Sequence, residues 1–154
     1  MHLMSKEPAA PFSMTPLIRD RCLCLGAQRA ARALARHFDE AFRPFGLRNG
    51  QFSLLVALNR PEPPAMAEVA EVLAVDRTTL TAALKPLERR GLLQVRPDAG
   101  DRRLRRLALT EAGRGLLGRA IPVWEETMAA LEHGIGRDPS DLAAGLEALR
   151  RAAV

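Results

Sequence analysis

Four arginines lie within five residues, at positions 102, 103, 105 and 106, on the polar stretch PDAGDRRLRRLALT. A guanidinium group stays charged at physiological pH and donates hydrogen bonds in a fork that matches phosphate and carboxylate oxygens. The chain returns at once to the apolar residues 107–109, so these cations belong to a folded segment and not to a tail. Their spacing indicates a surface that contacts a polyanion.

The positive charge of the chain is concentrated around this stretch. Of 154 residues, 23 are Lys or Arg and 18 are Asp or Glu, which gives a formal net charge of +5. The segment from Arg77 to Arg106 carries nine cations and three anions, a net charge of +6, so the rest of the chain has a net charge of −1. Such a block within a foldable segment is typical of a nucleic-acid-binding surface, and a solvated charged face is the alternative.

The segments that surround the block are predicted to form helices and a hairpin. Apolar spacing and capping residues predict helices at residues 48–58, 66–73 and 77–91, the last with Asp76 as its N-cap. The β-prone residues 92–96 and 104–109 flank a turn rich in Pro, Asp and Gly, which predicts a hairpin. A helix-turn-helix followed by a cationic hairpin is a winged helix-turn-helix.

The helix that begins at residue 77 has two contrasting faces. At about 100° per residue, one side is apolar and holds Leu80, Ala83, Leu84 and Leu87. The opposite side carries Thr, Ala and cationic residues, which can contact base edges and phosphates in a major groove. Pro86 removes a helical hydrogen bond, so base contacts are expected before it, at residues 77–82. The predicted DNA-contacting residues are Arg77, Thr78, Thr79, Thr81, Lys85, Arg89, Arg102, Arg103 and Arg105.

The segments on either side are predicted to be helical and to need a partner. Residues 1–14 are expected to be a mobile tail, and one long helix is expected from a cap at Thr15 to Phe42. Its apolar stripe repeats every seven residues, at Leu17, Cys24, Ala31, Phe38 and Phe45. Two further helices are predicted, from Glu111 to Glu132 and from Pro139 onward. In a chain this short, the stripe favours packing against another subunit.

Two segments resemble those of the MarR family of bacterial transcriptional regulators. They are VDRTTLTAALKPLERRGLLQ and DAGDRRLRRLALTEAG, with Ala67-Glu68-Val69-Ala70 before them. The wing motif of the family (Asp, any residue, Arg, Asp, Arg, Arg) falls on residues 98–103, where Gly100 stands in place of an arginine. The resemblance implies that Asp101 orients a neighbouring arginine.

The resemblance also implies an architecture. The fold is expected to be mainly α with a small β-hairpin wing, with a winged helix-turn-helix DNA-binding domain at residues 46–109. A helical dimerisation region is expected at residues 15–45 and 110–154. Two winged domains of a homodimer would then contact successive major grooves of double-stranded DNA at a near-palindromic site.

Two kinds of signal are compatible with this family. Cys24 lies 22 residues before Gly46-Leu47, which is the spacing of the reactive cysteine in members that sense organic hydroperoxides. The chain has no tyrosine to hydrogen-bond that thiol, and burial on the apolar stripe would make Cys24 a structural residue. Members more often bind small aromatic or phenolic molecules, and His37, Phe38, Phe52 and Trp124 are candidates either for such a pocket or for the core.

These features predict a dimeric, sequence-specific transcriptional regulator, a repressor released from its operator by a small aromatic or phenolic ligand. A hydroperoxide-responsive regulator that uses Cys24 and a winged-helix module that binds only proteins are the alternatives. An enzyme is not expected, because the sequence has no nucleophile with a base and no glycine-rich phosphate loop.

Further absences are expected from the residue types. The three histidines are scattered, so neither a metal nor a cofactor is expected. The longest uncharged runs, residues 8–18 and 49–59, have 11 residues each, so no membrane partner is expected. The two cysteines, Cys22 and Cys24, are too close together for a disulfide framework and indicate the reducing cytoplasm.

Overall fold

The computed structural model describes residues 9–153, which form seven α-helices and one two-stranded antiparallel sheet. The elements are α1 (Met14–Arg21), α2 (Leu23–Phe42), α3 (Asn49–Leu58), α4 (Met66–Leu73), α5 (Arg77–Arg89), β1 (Leu93–Pro97), β2 (Arg105–Leu109), α6 (Glu111–Ile135) and α7 (Pro139–Ala152). A 3-10 turn, Arg43–Phe45, follows α2. The predicted fold, mainly α with a small β-hairpin wing, is therefore confirmed.

The three predicted helices of the winged domain are present. Helix α4 has the predicted bounds, whereas α3 begins one residue later and α5 ends at Arg89, two residues before the predicted end. Asp76 caps α5, because its Oδ1 accepts the backbone N–H of Thr79 at 2.7 Å. After α5 the chain reverses through Gly91, whose φ of +69° is the left-handed conformation that glycine adopts without strain. The inner side of α5 buries Leu80, Leu84 and Leu87, whereas Ala83, which was predicted on that side, is exposed.

The hairpin lies against the helix-turn-helix through its base. Its antiparallel register runs from Leu93 opposite Leu109 to Pro97 opposite Arg105. Leu93 and Leu107 are fully buried, while residues 99–105 at the tip are exposed. The apolar base thus fixes the hairpin to the domain and leaves the arginine-rich tip in solvent.

One hydrophobic core joins the winged domain to the adjoining parts of α2 and α6. Its fully buried side chains are Phe42, Leu54, Leu55, Val69, Leu80, Leu87, Leu93, Leu107 and Leu117. Neither α1 nor α7 contains a buried residue within this protomer. Large apolar side chains are instead exposed on the helices at both ends of the chain, at Leu17 and Ile18 of α1, Leu23 of α2, Ile135 of α6 and Leu146 of α7.

The N-terminal helix is broken, which differs from the single long helix that the apolar stripe predicts. Cys22 has an extended backbone with ψ of 104°, so α1 ends and α2 begins there. The Sγ atom of Cys22 accepts the backbone N–H of Leu25 at 3.4 Å and caps α2, which gives the break a local cause. The helical segment also begins earlier than the predicted cap at Thr15. Met14 already belongs to α1, and residues 1–8 of the predicted tail lie outside the described residues.

The two C-terminal helices begin at their predicted caps. The Thr110 hydroxyl accepts the backbone N–H of Gly113 at 3.0 Å, and Asp138 Oδ1 accepts that of Ser140 at 2.8 Å. Helix α6 continues through Pro122 and ends at Ile135, beyond the predicted end at Glu132.

Candidate nucleic-acid interface

The threonines at the start of α5 differ in how their hydroxyls are engaged. Thr79 donates its hydroxyl to Asp76 Oδ2 at 3.0 Å, and Thr81 donates to the carbonyl of Arg77 at 2.7 Å. The N–H and hydroxyl of Thr79 together lower the pKa of Asp76 below its ordinary value. Thr78 is exposed, and its hydroxyl has no hydrogen bond to any residue between 9 and 153. Among the three threonines predicted to contact DNA, Thr78 therefore keeps its hydroxyl available.

The start of α5 and the wing tip face one another across a groove. A cavity of about 340 Å³ lies between them and the first turn of α4, with an apolar floor formed by Ala65, Met66, Ala67 and Ala70. Arg77 from α5, and Arg103 and Arg105 from the wing, line the same cavity. The structure thus brings three of the predicted DNA-contacting cations, from separate elements, onto one surface.

The remaining predicted contacts extend this surface in two directions. Lys85 and Arg89 are exposed further along α5, roughly 12–18 Å from Arg77 at 1.5 Å per residue. Arg102 is exposed at the wing tip beside Arg103. None of these side chains forms an ion pair with a residue in the described part of the chain, so their charge is available to a polyanion.

Arg106, the fourth arginine of the cluster, holds the wing in place. Its Nε donates to Asp98 Oδ1 at 2.6 Å, and the Oδ2 of the same carboxylate accepts the backbone N–H groups of Gly100 and Asp101 at 2.9 and 3.0 Å. The guanidinium, followed by these two N–H groups, lowers the pKa of Asp98. Asp101 instead accepts the backbone N–H of Arg103 at 2.9 Å. The acid that orients an arginine side chain is therefore Asp98 and not Asp101.

A second set of contacts ties the wing to the start of α4. The backbone N–H of Leu107 donates to the Pro64 carbonyl at 2.9 Å, and Arg106 pairs with Ala65 as an isolated bridge. Glu68 lies 3.7 Å from Arg106 Nη1 and accepts the N–H of Ala65 at 2.6 Å. Neither these contacts nor the Asp98–Arg106 ion pair was predicted from the sequence. The predicted hairpin was the available signal for the ion pair, because pairing of its strands brings residue 98 next to residues 104–106.

The predicted ligand-lining residues do not form one group. Phe52 and Trp124 line a cavity of about 400 Å³ together with Ser53, Val56 and Ile121. Phe38 is buried in the core, where it stacks on Phe42 with ring centroids 5.9 Å apart. His37 is exposed and meets the edge of Phe38.

Both cysteine side chains reach solvent in this protomer. Cys24 is exposed, contrary to the burial expected from the apolar stripe, and its Sγ accepts the side-chain amide of Gln28 at 3.3 Å. Cys22 is partly exposed at the break between α1 and α2. Of the stripe residues, Phe38 is buried and Phe45 is partly buried, because the first half of α2 has no buried residue within the protomer.

The described residues also bear on two other kinds of partner. Within residues 9–153 every helix is too short or too polar to cross a bilayer. Across the same range no three His, Cys, Asp or Glu side chains are grouped in a way that would hold a metal ion.

Most of the surface formed by α5 and the wing lies within the segment that a family model matches. The family model described as "MarR family" matches residues 45–104. The transcriptional repressor NicR of Pseudomonas putida is 39% identical over 88 residues, which are 54% of this chain and 56% of NicR. The chain thus spans only about half the length of this curated relative.

Similarity to solved structures extends over more of the chain. The M. tuberculosis regulator MosR, crystallised in complex with DNA, has a TM-score of 0.79 and 38% identity, covering 86% of this chain and 96% of that one. BpsR of Bordetella bronchiseptica, whose DNA binding is regulated by 6-hydroxynicotinic acid, has a TM-score of 0.72 and 25% identity, covering 95% and 98%. With its winged helix and cationic wing, this chain belongs to the MarR family of DNA-binding transcriptional regulators.

Proposed function

We propose that this protein is a dimeric repressor that binds a near-palindromic operator in the cytoplasm and leaves it when a small aromatic ligand binds. The observation that carries the DNA-binding part is the convergence of Arg77, Arg103 and Arg105 on one groove. A phosphate at this groove would meet guanidinium groups from both α5 and the wing, while residues 77–82 face the base edges. Catalysis is not part of the proposal.

The experiment that tests DNA binding is a salt titration with DNA from beside the protein's own coding region. Each phosphate that the protein neutralises releases counterions, so log affinity falls linearly with log salt. We expect Arg102→Ala and Arg103→Ala to weaken binding to all sequences alike and to reduce the slope by about one. Arg32→Ala, which removes the same charge from α2, should leave the slope unchanged. A salt-independent affinity of the wild type would contradict the proposal.

The exposed apolar side chains of the terminal helices support the dimer. We propose residues 15–45 and 110–154 as the dimerisation region and residues 46–109 as the DNA-binding domain. Leu23 and Leu146 are 69% and 61% exposed in the protomer, so both present large apolar side chains to solvent. A partner that covers these side chains removes apolar surface from water, at about 25 cal/mol per Å². Within residues 9–153, neither α1 nor α7 has a buried residue, so their apolar sides stay in solvent in the protomer.

The cavity between Phe52 and Trp124 supports the aromatic ligand. Its volume of about 400 Å³ is that of a small-molecule site, and most of its lining is apolar, with Ser53 as a polar group. It lies between α3 of the winged domain and α6, so a ligand there would contact both proposed regions. The regulation of BpsR by 6-hydroxynicotinic acid is a precedent from a related protein.

A thiol-based response is the second candidate, because the structure places Cys24 in solvent. In this mechanism a Cys24 thiolate attacks an organic hydroperoxide, takes one oxygen to become a sulfenic acid, and releases the corresponding alcohol. The added oxygen at the exposed face of α2 would then disturb the proposed dimer. The absence of tyrosine from the sequence leaves the Gln28 amide as the described hydrogen-bond donor to this sulfur.

A further inference from the structure

A cavity of about 700 Å³, lined largely by charged residues, lies on a different part of the molecule from the groove and the aromatic cavity. It is an open cavity bordered by the last turns of α2, the segment that leads from the 3-10 turn into α3, and the residue that follows α5. Its charged lining residues are Arg36, Asp39, Glu40, Arg43, Arg48 and Arg90, a net charge of +2.

The two acids of this cavity are already occupied by donors from the protein. Asp39 Oδ1 accepts the backbone N–H of Asn49 at 2.7 Å, and Glu40 is paired with Arg43. Arg36 and Arg48, in contrast, form no ion pair with any residue from 9 to 153. A backbone N–H does not neutralise a carboxylate, so Asp39 keeps its charge of −1, and the unpaired guanidinium charge of the cavity exceeds it.

Arg90 contributes a third guanidinium, held in a fixed position. Its Nη1 donates to the Gly46 carbonyl at 2.6 Å and its Nη2 to the Phe45 carbonyl at 3.1 Å. Carbonyl oxygens orient the group but do not neutralise it, so its charge remains available. Gly46 has a φ of +60°, and a Cβ there would lie 3.4 Å from the Arg90 Nη2, so glycine suits both the turn and the contact.

From this arrangement we propose that the cavity is a second effector site, for a compact anion that carries two or more phosphate or carboxylate groups. Arg36 and Arg48 would bind these groups by charge-assisted, forked hydrogen bonds, and Arg90 would supply a preoriented charge. The net charge of +2 matches a dianion better than a monoanion or a neutral molecule. The apolar Leu47 and the open mouth of the cavity leave room for a small carbon skeleton.

Occupancy of this site would reach the DNA-binding surface through Arg90. This residue follows α5 directly, and its two hydrogen bonds fasten the end of that helix to the turn after α2. An anion that draws the guanidinium toward itself competes with the two carbonyls for the same N–H groups. The orientation of α5 then changes relative to α2. This coupling rests on the proposed function, whereas anion binding itself does not.

The test of the site is calorimetric titration of the full chain, free of DNA, with pyrophosphate and with citrate as probes and acetate as the monoanionic control. We expect saturable binding of at least one multivalent probe, and acetate to bind at least tenfold more weakly. Arg36→Gln and Arg48→Gln should each weaken binding by roughly tenfold or more, the equivalent of one lost charge-assisted contact. Arg32→Gln is the matched control, since Arg32 lies one turn earlier on α2 and bonds to Gln28 at 3.0 Å.

Several results would overturn the site. The site is ruled out if neither probe gives saturable heat, if acetate binds as tightly as the multivalent probes, or if Arg32→Gln weakens binding as much as Arg36→Gln and Arg48→Gln do. If the cavity contacts the DNA backbone instead, Arg36→Gln and Arg48→Gln will weaken DNA binding in the absence of any added anion. Neither probe will then give saturable heat in the calorimeter.

Coupling is measured separately, as the change in DNA affinity when pyrophosphate replaces chloride at equal ionic strength. We expect a change in the wild type and none in Arg90→Gln. An unchanged wild-type affinity alongside saturable calorimetric binding would overturn the coupling and leave the site. A chain that binds pyrophosphate but no DNA would contradict the proposed function alone.

Discussion

Gly113 lies so close to Leu92 that a Cβ on Gly113 would be 1.9 Å from the Leu92 carbonyl oxygen. The same carbonyl accepts the backbone N–H of Thr110 at 3.1 Å, and the Thr110 hydroxyl donates to the Gly91 carbonyl at 2.6 Å. The first turn of α6 is thus in backbone contact with the junction between α5 and β1. This contact joins a proposed dimerisation helix to the DNA-binding domain.

Gly113→Ala should therefore push the first turn of α6 away from the junction between α5 and β1. The obstacle is backbone and not a flexible side chain, so we expect a loss of roughly 1–3 kcal/mol or more in the free energy of unfolding. The matched control is Gly118→Ala on the same helix, where nothing lies within 4 Å of the added Cβ. That substitution should stabilise the protein by about 0.5–1 kcal/mol, the usual difference between Ala and Gly in a helix. Thermal unfolding measures both, and equal effects would contradict the contact.

Local signals were sufficient for the helix-turn-helix. The prediction of 66–73 coincides with α4, and Asp76 and Thr110 cap the helices that they were predicted to cap. The break at Cys22 was not predicted, because the spacing of apolar residues does not show that a thiol caps a helix. The exposure of Cys24 could not be predicted either, since a heptad repeat shows which residues share a face but not whether this protomer covers it.

Asp98→Asn should weaken DNA binding even though it makes the protein more positive. Asparagine can still accept the N–H groups of Gly100 and Asp101, but it loses the ion pair that holds Arg106 and with it the wing. Asp101→Asn is the control, because it removes the same charge without touching an arginine side chain. Fluorescence anisotropy with operator DNA measures both. Tighter binding by Asp98→Asn would show that net charge outweighs the anchor.

The same ion pair has a pH dependence of defined sign. The pKa of Asp98 is lowered in the folded state from its ordinary value of 3.8, chiefly by Arg106, so the pair contributes fully above that value. Its contribution is lost as the pH falls through the lowered pKa. We expect the difference in stability between wild type and Asp98→Asn to be present at neutral pH and to vanish in acid.

Thr78→Val should change the preferred DNA sequence more than Thr81→Val does. The two threonines are three residues apart on α5, but the Thr81 hydroxyl is engaged by the Arg77 carbonyl. Loss of a base contact by Thr78 should cost roughly 1–3 kcal/mol at one position of the site. Selection from a randomised DNA pool measures the preference of each variant. An unchanged motif for Thr78→Val would show that α5 sits differently in the groove.

The residue types of the DNA-binding surface could be predicted from the sequence, but the different structural roles of its arginines could not. The predicted DNA contacts included Arg102, Arg103 and Arg105 but not Arg106, and only the packed structure shows that Arg106 is held by Asp98. Arg90 was counted within the same cationic block, yet it bonds to carbonyls of the turn after α2. Contacts between residues more than forty positions apart leave no local pattern in a single sequence.

Organic hydroperoxide should release the protein from its operator only slowly. In the proposed dimer the exposed half of α2 faces a partner, which shields Cys24 from the oxidant, and the chain supplies no tyrosine hydroxyl to hold the sulfur. The measurement is the rate of operator release after addition of the hydroperoxide, in the wild type, in Cys24→Ser and in Cys22→Ser. Cys22→Ser serves as the control, because a serine hydroxyl can still accept the Leu25 N–H and cap α2. Slow release in all three proteins leaves the aromatic ligand as the proposed signal, whereas rapid release that is abolished only in Cys24→Ser would establish the thiol mechanism in its place.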